Sequence, residues 1–439
     1  MTAGRVPADA EAFDRLFDRP EQPFVEPNAL FIEGIEIIGN NKTLRSVIER
    51  RILVQPKDLL NEDRIEESRL RLLNTGFFKS VDVSLRRGSR PGQILLVIEV
   101  EERNTVLIDQ IYMGFSSVSP VFGGIGIAET NFLGRGVTVG GSMVIGQDRR
   151  GAEARLFVPY LSDTALQLSA SAIFVQGAEA IDDRNPMELQ LFYDRWGGSL
   201  GLGVGVGPSQ RVSLIYRLES VRASNLRALM PSVVRRAPSI LTDESVLSTL
   251  ALTYERDTRD DPFVPSQGTR LALAVEAGTT LLGSSYEFSK YTGEAQHALS
   301  IIDGHSVIIR GFGGLIQGET PFFNQFFISD FAYFAWNRDS LRRKGQINFS
   351  ESNDYDDLIF HVGVDYNIRM FSGDDVLYRM FVYGGVDLTF TASLDEIQED
   401  PSGRGTGNNA PVSFDIGLKF DTSIGNFAFS LAYVLDLVY

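Results

Sequence analysis

The 439-residue chain contains no cysteine, which excludes disulfides, thiol catalysis and thiolate metal sites. Its three histidines, His297, His305 and His361, are too few and too scattered to build a zinc site. No stretch approaches the ~18 consecutive apolar residues of a membrane helix. No GxSxG elbow, HExxH pair or P-loop occurs, and Gly201, Gly203, Gly205 and Gly207 alternate with apolar residues with no helix behind them to hold a phosphate. Nothing therefore suggests an enzyme, and no cofactor is expected. Lys and Arg number 41 against 57 Asp and Glu, a net charge of -16, which argues against nucleic acid as a partner. The first residues show no basic segment followed by an apolar core, so no signal peptide is visible in this chain, as expected of a processed exported protein.

What the chain has is period-two alternation. In residues 427–439, Phe427, Phe429, Leu431, Tyr433, Leu435, Leu437 and Tyr439 share one face, and Ala428, Ser430, Ala432, Val434, Asp436 and Val438 share the other. That is a strand. Its length and aromatic ends suit a tilted membrane-spanning strand of about 9 to 11 residues. The design recurs from Val106 onward. Val137, Val139, Met143 and Ile145 oppose Thr138 and Ser142; Leu271, Leu273 and Val275 oppose Arg270 and Glu276; Val382, Val386 and Leu388 oppose Phe381, Tyr383 and Asp387. An apolar face for lipid and a polar face for a lumen fit a transmembrane antiparallel β-barrel, although a soluble sandwich shows the same alternation. The 42 glycines and 30 phenylalanines fit either all-β form.

Three regions follow. Residues 1–30 are acidic and carry Pro20, Pro23 and Pro27, as a linker does. Residues 31–103 read β-α-α-β-β. A strand runs from Phe31 to Ile38, and a helix carries Leu44, Val47, Ile48 and Arg51. Asn61 caps a second helix with Glu62 and Asp63 in its first turn. That helix has an inward stripe of Ile65, Arg69, Leu72 and Leu73, Gly76 ends it, and strands follow at 81–85 and 94–100. Residues 104–439 form the barrel, with fifteen clear strand segments. A sixteenth is expected from bacterial parity, hidden in 322–336 or in a split of 187–207.

"FIEGIEIIGNN" at the start of the small unit and "LLNTGFFKSVDVSL" after its second helix resemble a POTRA domain of the BamA/TamA family of outer-membrane assembly and translocation proteins. "GGIGIAETNFLGRGVTVGG", "YERDTRDDPFVPSQGTRLAL" and "FDIGLKFDTSIGNFAFSLAYVLD" are similar to that family's second barrel hairpin, mid-barrel turn and closing region. The resemblance implies an outer-membrane barrel with a periplasmic POTRA domain that recruits clients or accessory subunits by strand augmentation. A plain structural spacer is the alternative for that unit. By the same alignment, the stretch from Phe427 matches the penultimate strand better than the last.

The family also implies a lock, in which the arginine of a [V/I]RGF motif on the sixth extracellular loop meets an FxDxG motif on the thirteenth strand. Here Pro321 to Phe327 begins like that loop, but Ser329-Asp330 stands where two glycines are expected. The motif position falls on Arg342, Arg343 and Lys344, and the wall motif reads Phe381-Val382-Tyr383-Gly384-Gly385, with Tyr383 in place of the aspartate. Ile309-Arg310-Gly311-Phe312 spells the motif upstream, within the eleventh strand, where Arg310 would point into the lumen from the wall. Arg310, His361, Asp365, Arg369, Arg379, Asp387, Asp415, Lys419 and Asp421 all fall on expected inward positions with both signs present, so cross-strand pairing is open to them. Asp260-Asp261 and Asp356-Asp357 read as solvated charge in turns or loops. Leu437 and Tyr439 fit the family's C-terminal assembly signal, with Val434 where that signal prefers glycine.

The resulting expectation is an outer-membrane insertion or translocation factor that opens between its first and last barrel strands. A scaffold or pore barrel within a larger envelope complex is the alternative.

Overall fold

The computed structural model describes residues 30–114, 122–146, 150–161, 164–180, 190–207, 209–224, 239–241, 243–327, 355–373, 376–394 and 412–435. Residues 1–29, Arg342, Arg343, Lys344, Leu437 and Tyr439 lie outside them. No helix among the described residues is long and apolar enough to cross a membrane; strands are a separate matter.

The small unit contains β1 (Phe31–Ile38), α1 (Arg45–Glu49), α2 (Glu62–Leu73), β2 (Phe78–Arg87) and β3 (Gln93–Glu102). β3 lies between β1, to which it is parallel, and β2, to which it is antiparallel. Asn61 caps α2, its Oδ1 accepting from the Arg64 N–H at 2.9 Å, and Gly76 follows the helix with φ +72°. Ile32, Val47, Ile48, Leu72, Val81, Leu96 and Ile98 meet in one core, so both helices bury their apolar stripes on one face of the sheet. Two stripe positions differ from expectation. Leu44 sits just before α1 and is exposed, and Arg69 stays half-buried because Glu66 holds its guanidinium at 2.6 Å.

The rest of the described chain is one antiparallel sheet of fifteen strands. Its first half is β4 (Val106–Gly114), β5 (Phe122–Phe132), β6 (Val137–Gly146), β7 (Arg150–Val158), β8 (Leu166–Ala180), β9 (Gln190–Gly207), β10 (Gln210–Ala223) and β11 (Asp243–Asp257). β12 (Gly268–Gly278), β13 (Phe288–Ile302) and β14 (His305–Gly318) follow. After a two-stranded ribbon of β15 (Phe326–Phe327) and β16 (Tyr355–Asp356), the wall resumes with β17 (Leu358–Ser372), β18 (Leu377–Ala392), β19 (Val412–Thr422) and β20 (Gly425–Leu435).

The expected sixteenth strand is not among the described residues. β9 runs unbroken from Gln190 to Gly207, and Phe322–Asn324 is a 3-10 turn leading into the ribbon, which pairs apart from the wall. The aromatic richness of 322–327 serves packing, not a membrane strand.

The faces distinguish barrel from sandwich. On β9 the outward residues Trp196, Leu200, Leu202, Val204 and Val206 are exposed, Trp196 at 61%, whereas inward Arg195 is 2% exposed. A sandwich would bury the apolar face and expose the charges; this sheet does the reverse. Trp196 to Val206 spans eleven residues, ten steps of ~3.3 Å or roughly 33 Å, and about 25 Å along the normal at ~40° tilt, the height of a membrane-facing apolar band.

The small unit docks at one end of the barrel. The Leu44 N–H donates to Gly134 O at 2.9 Å, Asn131 Nδ2 to Thr43 Oγ1 at 2.8 Å, and Lys42 pairs with Glu129 at 2.9 Å. Gly134 has φ +70°, and a Cβ there would stand 1.9 Å from Lys42 O, so the turn between β5 and β6 needs glycine on both counts. The long connections 224–242, 319–357 and 393–411 all leave from the other end.

The joint depends on Glu102, whose carboxylate accepts backbone N–H bonds from Asn41 (3.0 Å), Lys42 (2.8 Å) and Thr43 (2.6 Å). Burial alone would raise its pKa, but these hydrogen bonds, with that of the Thr43 hydroxyl, outweigh it and hold the group below the usual glutamate range. A depressed carboxylate contributes stability above its unfolded pKa of about 4.3 and loses it as the pH falls through its folded value. Proteolysis between the small unit and β4 is therefore expected to accelerate as the pH falls below about 4.3. In Glu102→Gln it should be faster already at pH 7 and lack that acid-dependent rise. A pH profile identical to wild type in the variant would remove Glu102 from this role.

Candidate functional site

Three arrangements inside and along the barrel carry chemistry. The first is a charge network on β14, β17, β18 and β19. Arg310, on β14, places its guanidinium 2.8 Å from Asp365 on β17 and 2.9 Å from Asp387 on β18. Lys419, on β19, reaches Asp365 at 3.3 Å and Asn367 at 2.8 Å, and lies 4.0 Å over the Tyr383 ring. His361 Nε2 lies 3.2 Å from Asp387 and its Nδ1 2.9 Å from Thr389 Oγ1. Successive inward positions on neighbouring strands bring these groups together, since the register sets Gly363 opposite Arg310 and Asp387 opposite Gly363.

The small residues in the network make room for it. A Cβ on Gly363 would sit 2.0 Å from Asp387 Oδ1, and one on Gly385 would sit 2.3 Å from Asp415 Oδ1. The wall motif's Phe381, Tyr383 and Gly385 thus stand together on the inward face, and the carboxylate absent at 383 has a counterpart at Asp387, facing Arg310. The arginine of the upstream IRGF segment is a wall residue with wall partners.

The remaining inward candidates divide. Arg379 bonds Asp421 (Nε to Oδ2, 3.0 Å) and Asp261 at 2.5 Å, so the turn between β11 and β12 reaches across the barrel mouth to β18. Arg103 adds a contact to Asp421 at 3.3 Å, tying the small unit to this rim. Asp261 is thus no solvated turn charge, and Asp260 accepts from the Ser266 N–H at 2.9 Å. Asp356 is buried and Asp357 accepts from Gln325 Nε2 at 3.0 Å, which corrects the same expectation for that pair. Arg369 keeps the inward register, opposite Phe381, but lies at the exposed end of β17 beside the β13–β14 turn, where it pairs at 2.9 Å with exposed Asp303.

The second arrangement is a buried cluster on β9, β10 and β12 built from Arg195, Arg217, Glu219 and Glu276, which motif searching does not single out. Its signal is parity: each lies opposite an exposed apolar row that includes Trp196 and Leu218. The third is the seam where β4 and β20, the two ends of the sheet order, approach. Every wall strand is antiparallel to its neighbours, so the first and fifteenth run in the same direction. Among the described residues one backbone hydrogen bond crosses, Ile108 N–H to Ile424 O at 2.8 Å, beside Asn104 Nδ2 to Ser423 O at 3.0 Å.

A membrane-type barrel with a charged lumen, a weak seam and a β-α-α-β-β unit docked at one mouth is the architecture of outer-membrane insertion and translocation barrels. The Omp85 superfamily domain matches residues 131–436, and the POTRA family, described as surface antigen variable number repeat, matches residues 30–103. The chain belongs to the Omp85 superfamily. It is 25% identical over 305 residues to outer membrane protein assembly factor BamA of Nitratidesulfovibrio vulgaris and 24% identical over 313 residues to that of Neorickettsia risticii. Each alignment covers 68% of this chain but only 36% and 39% of those proteins, so the chain spans well under half the length of either. In fold it is similar to BamA from Haemophilus ducreyi lacking POTRA domains 1-3, with a TM-score of 0.52 at 17% identity over 93% of this chain and 81% of that one. CdiB from Escherichia coli gives 0.56 at 12% identity over 98% and 91%. Family and barrel together support an outer-membrane location.

Proposed function

We propose that this chain inserts proteins into, or translocates them across, the outer membrane by opening between β4 and β20, with residues 31–103 as a periplasmic POTRA domain that recruits clients or accessory subunits. The observation that carries the reading is the seam. Every other neighbouring pair in the wall is joined by a ladder, whereas among the described residues the one backbone bond at the seam runs from Ile108 of β4 to Ile424, just before β20. Unpaired strand edges cannot persist in lipid, and a client strand can satisfy them. Superfamily membership and the relatives' role as outer membrane protein assembly factors agree with this. The lumen wall is lined by paired charges of both signs. The expected result is that purified protein in liposomes accelerates folding of an outer-membrane client at least severalfold over empty liposomes, with a full-length BamA as positive control. Client folding at the empty-liposome rate would overturn the reading.

A second reading rests on the altered lock. Ser329-Asp330 and Tyr383 stand where the family resemblance implies two glycines and an aspartate. A barrel that has lost that lock could serve as a scaffold or pore in a larger envelope complex, and failure in the liposome assay would favour it.

A further inference from the structure

The connection between β14 and β17 has two described feet, 319–327 and 355–357, and they are fastened to each other. Phe326 pairs with Asp356 and Phe327 with Tyr355, and the Ile316 N–H donates to Asp357 O at 2.7 Å. The first foot is also fastened to the barrel wall, by residues outside the Arg310 network. Phe322 is 2% exposed and packs edge-on against Tyr193 of β9, with ring centroids 5.2 Å apart. Its N–H donates to Ser239 O at 2.6 Å. Asn324 is buried, and its Oδ1 accepts from Arg217 Nη1 at 3.2 Å while its Nδ2 donates to Thr320 Oγ1 at 3.0 Å. The Arg195 guanidinium lies 4.2 Å over the Phe323 ring, and Lys290 of β13 donates to Asn324 O and lies 4.6 Å over Phe326.

Wall charges hold these cations in place. Glu219 pairs with Arg195 at 3.1 Å and with Arg217 at 2.5 Å, Glu276 stands 3.7 Å from Arg217, and Thr249 Oγ1 donates to Glu276 at 2.7 Å. Two arginines and two glutamates form a neutral buried set. A guanidinium has five N–H donors in a fixed fork, and the carboxylates around Arg217 leave Nη1 directed at Asn324. Asn324 supplies the acceptor, and the aromatic rings supply the faces on which the other cations rest.

We infer that the wall cations Arg195, Arg217 and Lys290 anchor the β14–β17 connection inside the barrel by clasping Asn324, Phe323 and Phe326, a clasp with its charge on the wall and its acceptor on the connection. This is the opposite polarity to a lock made by an arginine on the loop. Its cations come from β9, β10 and β13, not from the network around Arg310.

Amide hydrogen exchange of the peptide covering 320–327, measured on the folded full chain in detergent, tests the clasp directly, because exchange reports local opening. Removing a hydrogen bond to a buried charge should raise the opening equilibrium roughly tenfold or more. Asn324→Ala and Arg217→Lys should each accelerate exchange by that factor. The double variant should exchange no faster than the faster single variant, and peptides of β9 and β10 should stay protected. Arg310→Lys should leave 320–327 unchanged. If Arg217→Lys fails to fold, Phe323→Ala takes its place in the cycle, since it removes the ring beneath Arg195. Wild-type exchange in Asn324→Ala, or effects of the paired variants that multiply, would overturn the clasp.

Discussion

Joining β4 to β20 covalently is expected to reduce insertion or secretion to background. A cysteine pair placed across the Ile108–Ile424 contact would be the chain's only thiols, since the protein has none of its own. The expectation follows from comparing what opening costs at each place in the wall. Parting β19 from β20 breaks a ladder running from Val412–Leu435 to Thr422–Gly425, and parting β10 from β11 breaks one running from Gln210–Arg256 to Ala223–Asp243. Each lost backbone bond costs on the order of 1 kcal/mol even where water can replace it, and more in lipid, where nothing can. At the seam the described residues stand to lose one such bond and the Asn104–Ser423 contact. Opening is thus directed there, and a disulfide removes the cheapest route. Activity should vanish on oxidation and return with reductant. Full activity in the oxidised barrel, with cross-linking verified by gel mobility, would show that the seam does not open in the working cycle.

Replacing Arg310 with alanine should be strongly destabilising. Its guanidinium bridges Asp365 and Asp387, both almost fully buried, at 2.8 and 2.9 Å. Removing one partner of a buried ionic set leaves uncompensated charge and costs about 3–5 kcal/mol. Lys419 also reaches Asp365, at 3.3 Å, and His361 reaches Asp387, so these partners limit the loss without replacing the bidentate fork. The unfolding midpoint in urea, followed by loss of heat-modifiable gel mobility, should fall markedly in Arg310→Ala. Adding Asp387→Asn should recover part of the loss by deleting the stranded charge. Arg379→Ala, at the half-exposed rim, should cost much less. Equal midpoints for Arg310→Ala and wild type would mean that water, not the guanidinium, stabilises the carboxylates.

Much of the architecture is legible in the residues because it is local. Asn61 with Glu62 and Asp63 marks the start of α2, Gly76 marks its end, and strict alternation around Leu273, Val386 and Phe429 marks wall strands. Parity also places Arg310, Asp365, Asp387 and Lys419 on inward faces. Parity gave Arg369 its register, opposite inward Phe381, but not its depth: it stands at the end of β17, where it pairs with exposed Asp303, and alternation carries no information on how far along the wall a residue sits. It also left Asp261 and Asp357 looking like solvent charge, since their partners Arg379 and Gln325 are remote in sequence or belong to a connection with no periodicity.

The sequence by itself determined the order of elements, the two-faced character of each strand and the sign of the charges on each face. Those properties depend on neighbours one to four residues away. Which face encloses the interior, how many strands close the wall and which groups pair across it were decided only by the tertiary structure. Alternation states that two faces differ without stating which one is enclosed, and that is settled when exposed Trp196 stands beside buried Arg195. The fifteen strands among the described residues and the parallel meeting of β4 with β20 are properties of closure. The clasp of Arg217 on Asn324 joins residues 107 positions apart, a distance over which no local pattern carries information.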